Sequence, residues 1–291
     1  RRMELPRVLG HEACGSVEAI GDGVSDVEVG DYISLESHVH CGACRPCRLG
    51  KAHLCNNTSY PGVSFDGAFA EYVTVPSQIA WKNPPELPIE VAAMMEPFGI
   101  AVHSSLAGSG VSGKTVLVNG CGPIGLMNVA TLCALGATLI IACDINPLRL
   151  STAEKMGADR VVNASEEDLQ AIIRDMTGGD GVDVAIEYSG TEVGFNACFE
   201  ALARGGDFRL VGPPPKAIPV DFTHWVVKCP QMQNIHGRRI WDSWQVASEL
   251  VSSGSVDLGP IHSHSLSIEE GASGFELIRE GKALKPLIVP R

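Results

Sequence analysis

Short apolar runs alternate with amphipathic segments between about Gly113 and Gly237, and this alternation constrains the fold more than any other feature of the chain. Strands are predicted at KTVLVNG, TLIIACD, RVVNA, DVAIEYSG, DFRLVG and QMQNIHG, and a helical segment follows each of the first four. Strands that alternate with helices of this length form a parallel sheet whose two faces are covered by helices. The predicted fold class is therefore α/β, with a doubly wound parallel sheet.

A glycine-rich turn, GCGPIG, follows the first of these strands and opens its helix. The motif alone is common, but a strand before it and a helix after it are the context that Rossmann-type dinucleotide binding requires. Its glycines allow a tight turn, a close approach of the backbone to a pyrophosphate and close helix–strand packing, while the helix N-terminus attracts the phosphates. The predicted cofactor-binding residues of the turn are Gly120, Gly122, Pro123, Ile124 and Gly125.

Asp144 ends the second predicted strand, at the distance from the glycine turn where a carboxylate accepts hydrogen bonds from ribose hydroxyls. A carboxylate there repels a 2′-phosphate, so the prediction is NAD rather than NADP. An N-cap before the Asn146-Pro147 pair is the alternative role for Asp144. Arg149 is close enough in sequence to approach the adenosine ribose or phosphate, although a solvated helix arginine is the simpler interpretation.

Four cysteines with the spacing C-x2-C-x2-C-x7-C lie on a loop rich in Gly, Pro and Arg. Four thiolates this close can converge on one tetrahedral ion, and soft sulfur ligands favour zinc, with an iron–sulfur cluster or two disulfides as alternatives. A closed four-sulfur site is structural, because no coordination position stays open for a substrate. The predicted structural zinc ligands are Cys41, Cys44, Cys47 and Cys55.

The composition limits the classes of protein to which this chain can belong. Its 291 residues have a formal net charge of −12, which argues against a nucleic-acid or anionic-membrane surface. No apolar stretch reaches the roughly 18 residues of a membrane span. The cysteines outside the cluster are scattered, and several lie in apolar segments, which predicts a reducing, cytoplasmic setting. The chain opens on Arg1, close to a dense LGHEACG motif, and we expect it to be a fragment.

Two further features carry polar groups in apolar contexts. GHE at residues 10–12 precedes a predicted strand in a β-rich first lobe, and Glu96 lies in MMEPFGIAVHSSL. Burying an unpaired carboxylate is costly, so a metal ion would account for both Glu12 and Glu96. The pattern alone does not establish this, because His-Glu pairs are common.

Taken together, these motifs resemble the zinc-containing, medium-chain alcohol dehydrogenases. The resemblance runs along nearly the whole chain, through GHE, the four-cysteine loop, GAFAEYVTVP, EPFGIAVH, GCGPIG and Asp144. Within that family the strings LESHVHCGACRPCRLGKAHLC, MMEPFGIAVH and IHGRRIWDSW look most like the L-threonine 3-dehydrogenase branch. The EPxxxxVH element is shared with the polyol (sorbitol-type) branch and does not separate the two.

The resemblance implies a catalytic zinc ion, separate from the four-cysteine site. It implies His11, Glu12 and Glu96 as its ligands, with Glu96 binding directly or through water, and a first cysteine ligand that this chain would carry upstream of its first residue. It also implies that His38 lies near the active site and influences substrate recognition; a surface-loop histidine is the alternative. Zinc would bind the substrate hydroxyl and lower its pKa, so that hydride passes to the nicotinamide.

The implied domains are a GroES-like, β-rich catalytic domain at 1–97 with its N-terminal part missing, a Rossmann NAD-binding domain at 98–237, and a return to the catalytic domain at 238–291. The implied function is NAD-dependent oxidation of a small polar secondary alcohol, with L-threonine as the first candidate and a polyol or cyclitol as the second. The resemblance also implies a dimer or tetramer. A zinc-stabilised, non-catalytic NAD-binding protein and a zinc-ribbon nucleic-acid binder are the alternatives from other classes.

Overall fold

The computed structural model describes residues 3–290, which form eleven strands and ten α-helices. The strands are β1 (Cys14–Ser16), β2 (Tyr32–Leu35), β3 (Ala80–Lys82), β4 (Thr115–Asn119), β5 (Leu139–Asp144), β6 (Arg160–Asn163), β7 (Val182–Glu187), β8 (Leu202–Leu210), β9 (Gln231–Asn234), β10 (His262–Leu266) and β11 (Lys285–Ile288). The helices are α1 (Arg45–Arg48), α2 (Ile89–Ala92), α3 (Met95–Leu106), α4 (Pro123–Ala134), α5 (Pro147–Lys155), α6 (Leu169–Met176), α7 (Glu192–Ala201), α8 (Phe222–Lys228), α9 (Asp242–Ser252) and α10 (Gly271–Arg279).

The chain divides into two compact units. The first comprises the described residues up to Gly99, Gly237–Ser252, and the described residues from His262 onwards. The second comprises Ile100–His236 and Ser253–Ile261. The first unit contains the four-cysteine loop and the GHE motif, and the second contains the glycine turn.

The second unit is built on a six-stranded sheet in the order β6-β5-β4-β7-β8-β9, and every neighbouring pair in it is parallel. Strands β4, β5 and β7 are almost wholly buried, as expected for central strands of a parallel sheet, which read as continuous apolar runs. Helices α4, α5 and α7 pack against these strands. The predicted α/β class with a parallel sheet is confirmed.

The first unit contains two small sheets. Strands β1, β2 and β3 form an antiparallel sheet, while β10 and β11 pair in parallel. The run FAEYVTV at residues 69–75 lies in the lobe predicted to be β-rich, but it contains no strand. Phe69, the first residue of the run, instead donates its backbone N–H to Leu9 O, and Ala68 N, just before the run, donates to Gly10 O. No helix among the described residues is long and apolar enough to span a membrane.

Candidate functional site

The four cysteines of the predicted zinc loop lie together in the first unit, and all four sulfur atoms are within 4.8 Å of one another. The Sγ–Sγ distances are 3.4 Å for Cys44–Cys47, 3.8 Å for Cys44–Cys55 and 3.5 Å for Cys55–Cys41. Four sulfurs at the Zn–S distance of about 2.3 Å in a tetrahedron stand about 3.8 Å apart, so the observed spacing fits zinc. All four are free thiols, which excludes the two-disulfide alternative.

Local structure brings these sulfurs together. Cys44 precedes α1, whose first turn contains Pro46, and Cys47 lies within that helix. A short 3-10 helix at Ala52–Leu54 then returns the chain to Cys55. Proline suits the first turn of a helix, where its missing N–H would have no intrahelical acceptor.

The thiols do not share one pKa. Backbone N–H groups of Ala43 and Cys44 lower the pKa of Cys41 to about 6, whereas burial and the neighbouring sulfurs raise the pKa of Cys47 to about 12. Four thiolates in one cluster therefore require a cation, and the donor set is the one that structural zinc uses.

The GHE turn is also in the first unit and is fixed by close backbone packing. Gly10 has a φ of +98°, and a Cβ on Gly67 would lie 2.1 Å from the Gly10 carbonyl oxygen, so neither position accommodates a side chain. His11 and Glu12 follow directly. The Glu12 carboxylate forms an ion pair with Lys285 on β11.

Glu96, at the start of α3, belongs to a buried charge cluster centred on Arg238. Arg238 Nη1 lies 2.8 Å from Glu96 Oε1, while Arg238 Nε and Nη2 donate to the two carboxylate oxygens of Glu36 at 2.7 and 2.5 Å. All three side chains are almost completely removed from solvent. One guanidinium therefore serves two buried carboxylates.

The two carboxylates of this cluster respond differently to burial. Burial raises the pKa of Glu96 to about 7, against the opposing charge of Arg238. Burial also disfavours the charged form of Glu36, but its hydrogen bond to Arg238 and the charge of Arg238 hold the pKa of Glu36 well below its usual range. Arg238 forms two hydrogen bonds with the Glu36 carboxylate and also lies in ion-pair contact with Glu96.

His38 is part of the same cluster and is only 5% exposed, which excludes the surface-loop alternative. Its Nδ1 lies 2.9 Å from Glu36 Oε1 and 2.7 Å from Arg238 Nη2, and its ring meets Tyr60 edge-on with centroids 5.0 Å apart. Trp244 Nε1 donates to Glu36 Oε2 at 2.6 Å. Glu36 thus holds an arginine, a histidine and a tryptophan in one arrangement.

No motif in the sequence predicts Glu36, Arg238 or Trp244 as site residues. Arg238 and Trp244 lie 202 and 208 positions after Glu36, so no local spacing reveals the cluster. The only signal is indirect: LESHVH and IHGRRIWDSW, two strings that carry the resemblance, contain all three residues.

Burial lowers the pKa of His11, and the charges of Arg238 and Lys285 lower it further, while Glu12 acts in the opposite direction. The neutral imidazole is the form that binds metal ions. The predicted catalytic-zinc residues therefore offer one neutral imidazole and two carboxylates, a donor set suited to zinc.

These donors are not gathered around one point as the cysteines are. Within residues 3–290, the four cysteines are the only group of three or more His, Cys, Asp or Glu residues whose ligand atoms lie within 4.8 Å. Glu12 and Glu96 instead form ion pairs with Lys285 and Arg238. The buried Glu96 carboxylate needs such a cationic partner when no metal ion neutralises it, whereas the Glu12 side chain is 26% exposed.

A largely apolar cavity of about 920 Å³ in the first unit is lined by His11, Glu12 and Lys285 among many apolar side chains. It is near the upper end of the sizes usual for small-molecule pockets, about 300–1,000 Å³. Its volume therefore does not by itself select one small alcohol over another.

The glycine turn in the second unit has the geometry that the sequence predicts. Gly120 has a φ of +96°, and a Cβ on Gly125 would lie 2.0 Å from the Gly120 carbonyl oxygen. Gly122 is the N-cap of α4 and has no described atom within 4 Å of a Cβ placed on it. An open backbone at a helix N-terminus fits a pyrophosphate group.

Asp144 ends β5 as predicted, but its carboxylate is occupied by the chain itself. Its oxygens accept from the backbone N–H groups of Cys121, Ile145 and Asn146 at 2.7–2.9 Å. The N-cap alternative is wrong, because Asn146 caps α5. Arg149 is not merely solvated, since its Nη1 lies 3.5 Å from Asp144 Oδ2.

Two protein-family profiles match the chain. The profile described as alcohol dehydrogenase GroES-like domain matches residues 1–85, and the profile described as zinc-binding dehydrogenase matches residues 123–253. The two matches cover both units and most of the chain.

Individual relatives agree with the profiles. The chain is 42% identical to the L-threonine 3-dehydrogenase of Bacillus velezensis, over 100% of this chain and 84% of that protein. It is similar in structure to galactitol-1-phosphate dehydrogenase from Escherichia coli, with a TM-score of 0.92 and 27% identity over 99% of this chain and 85% of the other. It also resembles a dehydrogenase from E. coli CFT073 solved with the cofactor NADH, with a TM-score of 0.90 and 28% identity over 98% and 84%.

Proposed function

Because the chain belongs to the zinc-dependent alcohol dehydrogenases, which use zinc and NAD, we propose that it oxidises the secondary hydroxyl of L-threonine to the 3-oxo acid. One observation carries the choice of substrate. The identity to a protein named L-threonine 3-dehydrogenase is 42%, against 27% to a polyol-phosphate dehydrogenase of nearly the same fold. Residues that select the substrate diverge when the substrate changes, so the higher identity favours threonine.

We assign the catalytic metal ligands on this chain to His11, Glu12 and Glu96, and the structural ligands to the four cysteines. A zinc ion at the first set supplies Lewis acidity that lowers the pKa of a bound alcohol. Lys285 and Arg238 then serve as the counter-cations that keep the carboxylates in place without metal. His38 is held by Glu36 and Arg238, and its role is to orient the substrate.

For the cofactor, we assign the pyrophosphate to the backbone of the turn at residues 120–125 and the adenosine ribose to Asp144. The Asp144 oxygens accept three backbone hydrogen bonds, and Arg149 Nη1 lies 3.5 Å from Oδ2, so these four contacts match the roughly four lone-pair sites of a carboxylate and a ribose hydroxyl would have to replace the long Arg149 contact. Arg149 beside Asp144 contributes a positive charge near the adenosine.

We also propose a cytoplasmic setting and a homo-oligomeric assembly. Cys121, Cys143 and Cys198 are buried free thiols, which suits a reducing compartment such as the cytoplasm. The family resemblance favours a homo-oligomer, a dimer or tetramer. Native mass spectrometry of the purified protein tests the assembly.

A substrate panel tests the proposed function. The purified, zinc-loaded protein is incubated with NAD and either L-threonine, sorbitol, xylitol or inositol at millimolar concentration, and NADH formation is followed. We expect the highest kcat/KM with L-threonine. Turnover of a polyol with none of L-threonine would replace threonine by the second candidate. NADH binding without turnover of any substrate would favour the non-catalytic alternative.

A further inference from the structure

A buried carboxylate stands at the point in the second unit where the path of the chain over the sheet reverses. Strands β4 and β7 are parallel neighbours in the centre of the sheet, but β4 leads on to β5 on one side and β7 leads on to β8 on the other. Ligands of open α/β sheets bind outside the carboxyl ends of the strands at such a switch point. Asn119 is the last residue of β4, and Glu187 is the last residue of β7.

The Glu187 side chain is completely buried and joins both strand ends to the loop that follows β7. Its Oε2 accepts from Asn119 Nδ2 at 2.5 Å, and its Oε1 accepts from Ser189 Oγ at 2.5 Å and from Gly190 N at 2.8 Å. The Cys198 thiol on α7 donates to Oε2 at 3.5 Å. The Glu187 carboxylate therefore accepts hydrogen bonds from four donors.

The loop held by Glu187 lies directly against the glycine turn. A Cβ on Gly120 would lie 2.7 Å from Ser189 N, and Tyr188 N donates to Asn119 O at 2.8 Å. On the far side, a Cβ on Gly194 would lie 2.2 Å from Ser189 Oγ. No space separates the 188–190 loop from the turn, so a shift of the loop must move the turn.

Burial of the Glu187 carboxylate has a desolvation cost that a purely structural role would not explain. Burial raises the pKa of Glu187, which shows that the site opposes its charge, and its hydrogen bonds offset that effect only in part. Burying a carboxylate costs free energy that an apolar side chain would not incur, so a geometric role accounts for Glu187 better.

We propose that Glu187 is a positioning residue for NAD: its carboxylate fixes the 188–190 loop against the glycine turn at 120–125 and so sets the shape of the dinucleotide site. Glu187 acts through Asn119, Ser189 and Gly190 and is given no contact with the cofactor. The role concerns the cofactor alone and holds whichever alcohol the enzyme oxidises.

The chain offers a matched control at the other end of the same strand pair. Asp183, near the start of β7, accepts from the backbone N and the Oγ1 of Thr115, the first residue of β4, both at 2.8 Å. Asp183→Asn and Glu187→Gln thus make the same chemical change between the same two strands. Only the second lies at the carboxyl ends, where the cofactor binds.

The experiment is a fluorescence titration of NADH into the zinc-loaded wild type and both variants, with thermal unfolding measured in parallel. Glu187→Gln is expected to raise the Kd for NADH about tenfold, which corresponds to about 1.4 kcal/mol of binding free energy. Asp183→Asn is expected to leave the Kd within about twofold, because Asp183 lies at the opposite end of the strand pair. In steady-state assays with any accepted alcohol, Glu187→Gln should raise the KM for NAD more than it lowers kcat.

Two results overturn the proposal. One is a Kd for the Glu187→Gln variant within twofold of wild type; the other is an equal rise in both variants, which would indicate a general loss of stability. If Glu187→Gln does not fold, Ser189→Ala replaces it, since the exposed Ser189 loses its hydroxyl bond to Glu187 together with its hydrogen bonds to Thr191. An unchanged NADH Kd for Ser189→Ala then overturns the proposal as well.

Discussion

The four-cysteine loop and the His11, Glu12 and Glu96 set both belong to the first unit, yet they are built in opposite ways. The cysteines span 15 residues, and their sulfurs converge through one short helix and a 3-10 turn. Glu12 and Glu96 instead depend on cations far along the chain, since Lys285 lies 273 positions after Glu12 and Arg238 lies 142 positions after Glu96. The four-cysteine site is thus local in sequence, whereas the site proposed at His11, Glu12 and Glu96 depends on contacts between distant residues.

The largest expected effect is on the local site. Cys44→Ser removes one of four sulfur ligands, and the free energy of unfolding should fall by about 5 kcal/mol or more, since structural zinc contributes about 10–16 kcal/mol in zinc-finger peptides. Denaturant unfolding checks this, with Cys133→Ser, a thiol outside the cluster, as the control. Equal stability of the Cys44 variant and wild type would show that the loop needs no metal.

The next largest effect is a loss of catalytic activity when the proposed site at His11, Glu12 and Glu96 is changed. His11→Gln removes the neutral imidazole, and kcat/KM should fall by about a thousandfold or more, equivalent to about 4 kcal/mol of transition-state stabilisation. The NADH Kd and the unfolding midpoint should stay near those of wild type. His262→Gln, on β10 and outside the cluster, is the matched control. Full activity in the His11 variant would remove His11 from the site.

A smaller effect is expected when the shared cation is removed. Arg238→Met leaves the buried carboxylates of Glu36 and Glu96 without their partner, and breaking a buried pair in this way costs about 3 kcal/mol of stability. Thermal unfolding measures it. Arg239→Met is the control, because Arg239 is half-exposed and pairs only with the exposed Asp242. Similar losses in both variants would contradict the central role of Arg238.

The smallest effect is a difference in pH dependence. The pKa of Glu36 is lowered in the folded protein, so its contribution to stability is present above the ordinary glutamate value and disappears as the pH falls below it. Wild type should therefore lose stability more steeply than Glu36→Gln below about pH 4, by at most about 1.4 kcal/mol per pH unit. Urea unfolding at a series of pH values checks this. If the unfolding free energies of wild type and Glu36→Gln fell equally with pH, the Glu36 carboxylate would not be held in its charged form.

What the sequence predicts well is local. The glycine turn, the strand–helix alternation and the cysteine spacing each depend on residues within a short stretch, and each has the predicted geometry. The sequence is misleading at residues 69–75 for a related reason. These residues have the composition of a strand, but no neighbouring strand pairs with them. A strand needs a partner, and a partner is not a property of the run itself.

What the sequence does not predict depends on distant pairs. Glu36, Arg238 and Trp244 meet across more than two hundred positions, and no period or spacing connects them. Glu187 ends a correctly predicted strand, but its burial follows from the close approach of the 188–190 loop to the glycine turn. Polar groups of this kind become visible only when their hydrogen-bond partners are known.

The zinc content of the purified protein tests the comparison between the two sites most directly. Metal analysis of wild type, Cys44→Ser and His11→Gln, each dialysed against metal-free buffer, gives the number of ions held at each site. With one closed and one open site, we expect about two zinc ions in wild type and about one in each variant. One zinc ion in wild type, unchanged by His11→Gln, would contradict the assignment of a second, catalytic metal site to His11, Glu12 and Glu96.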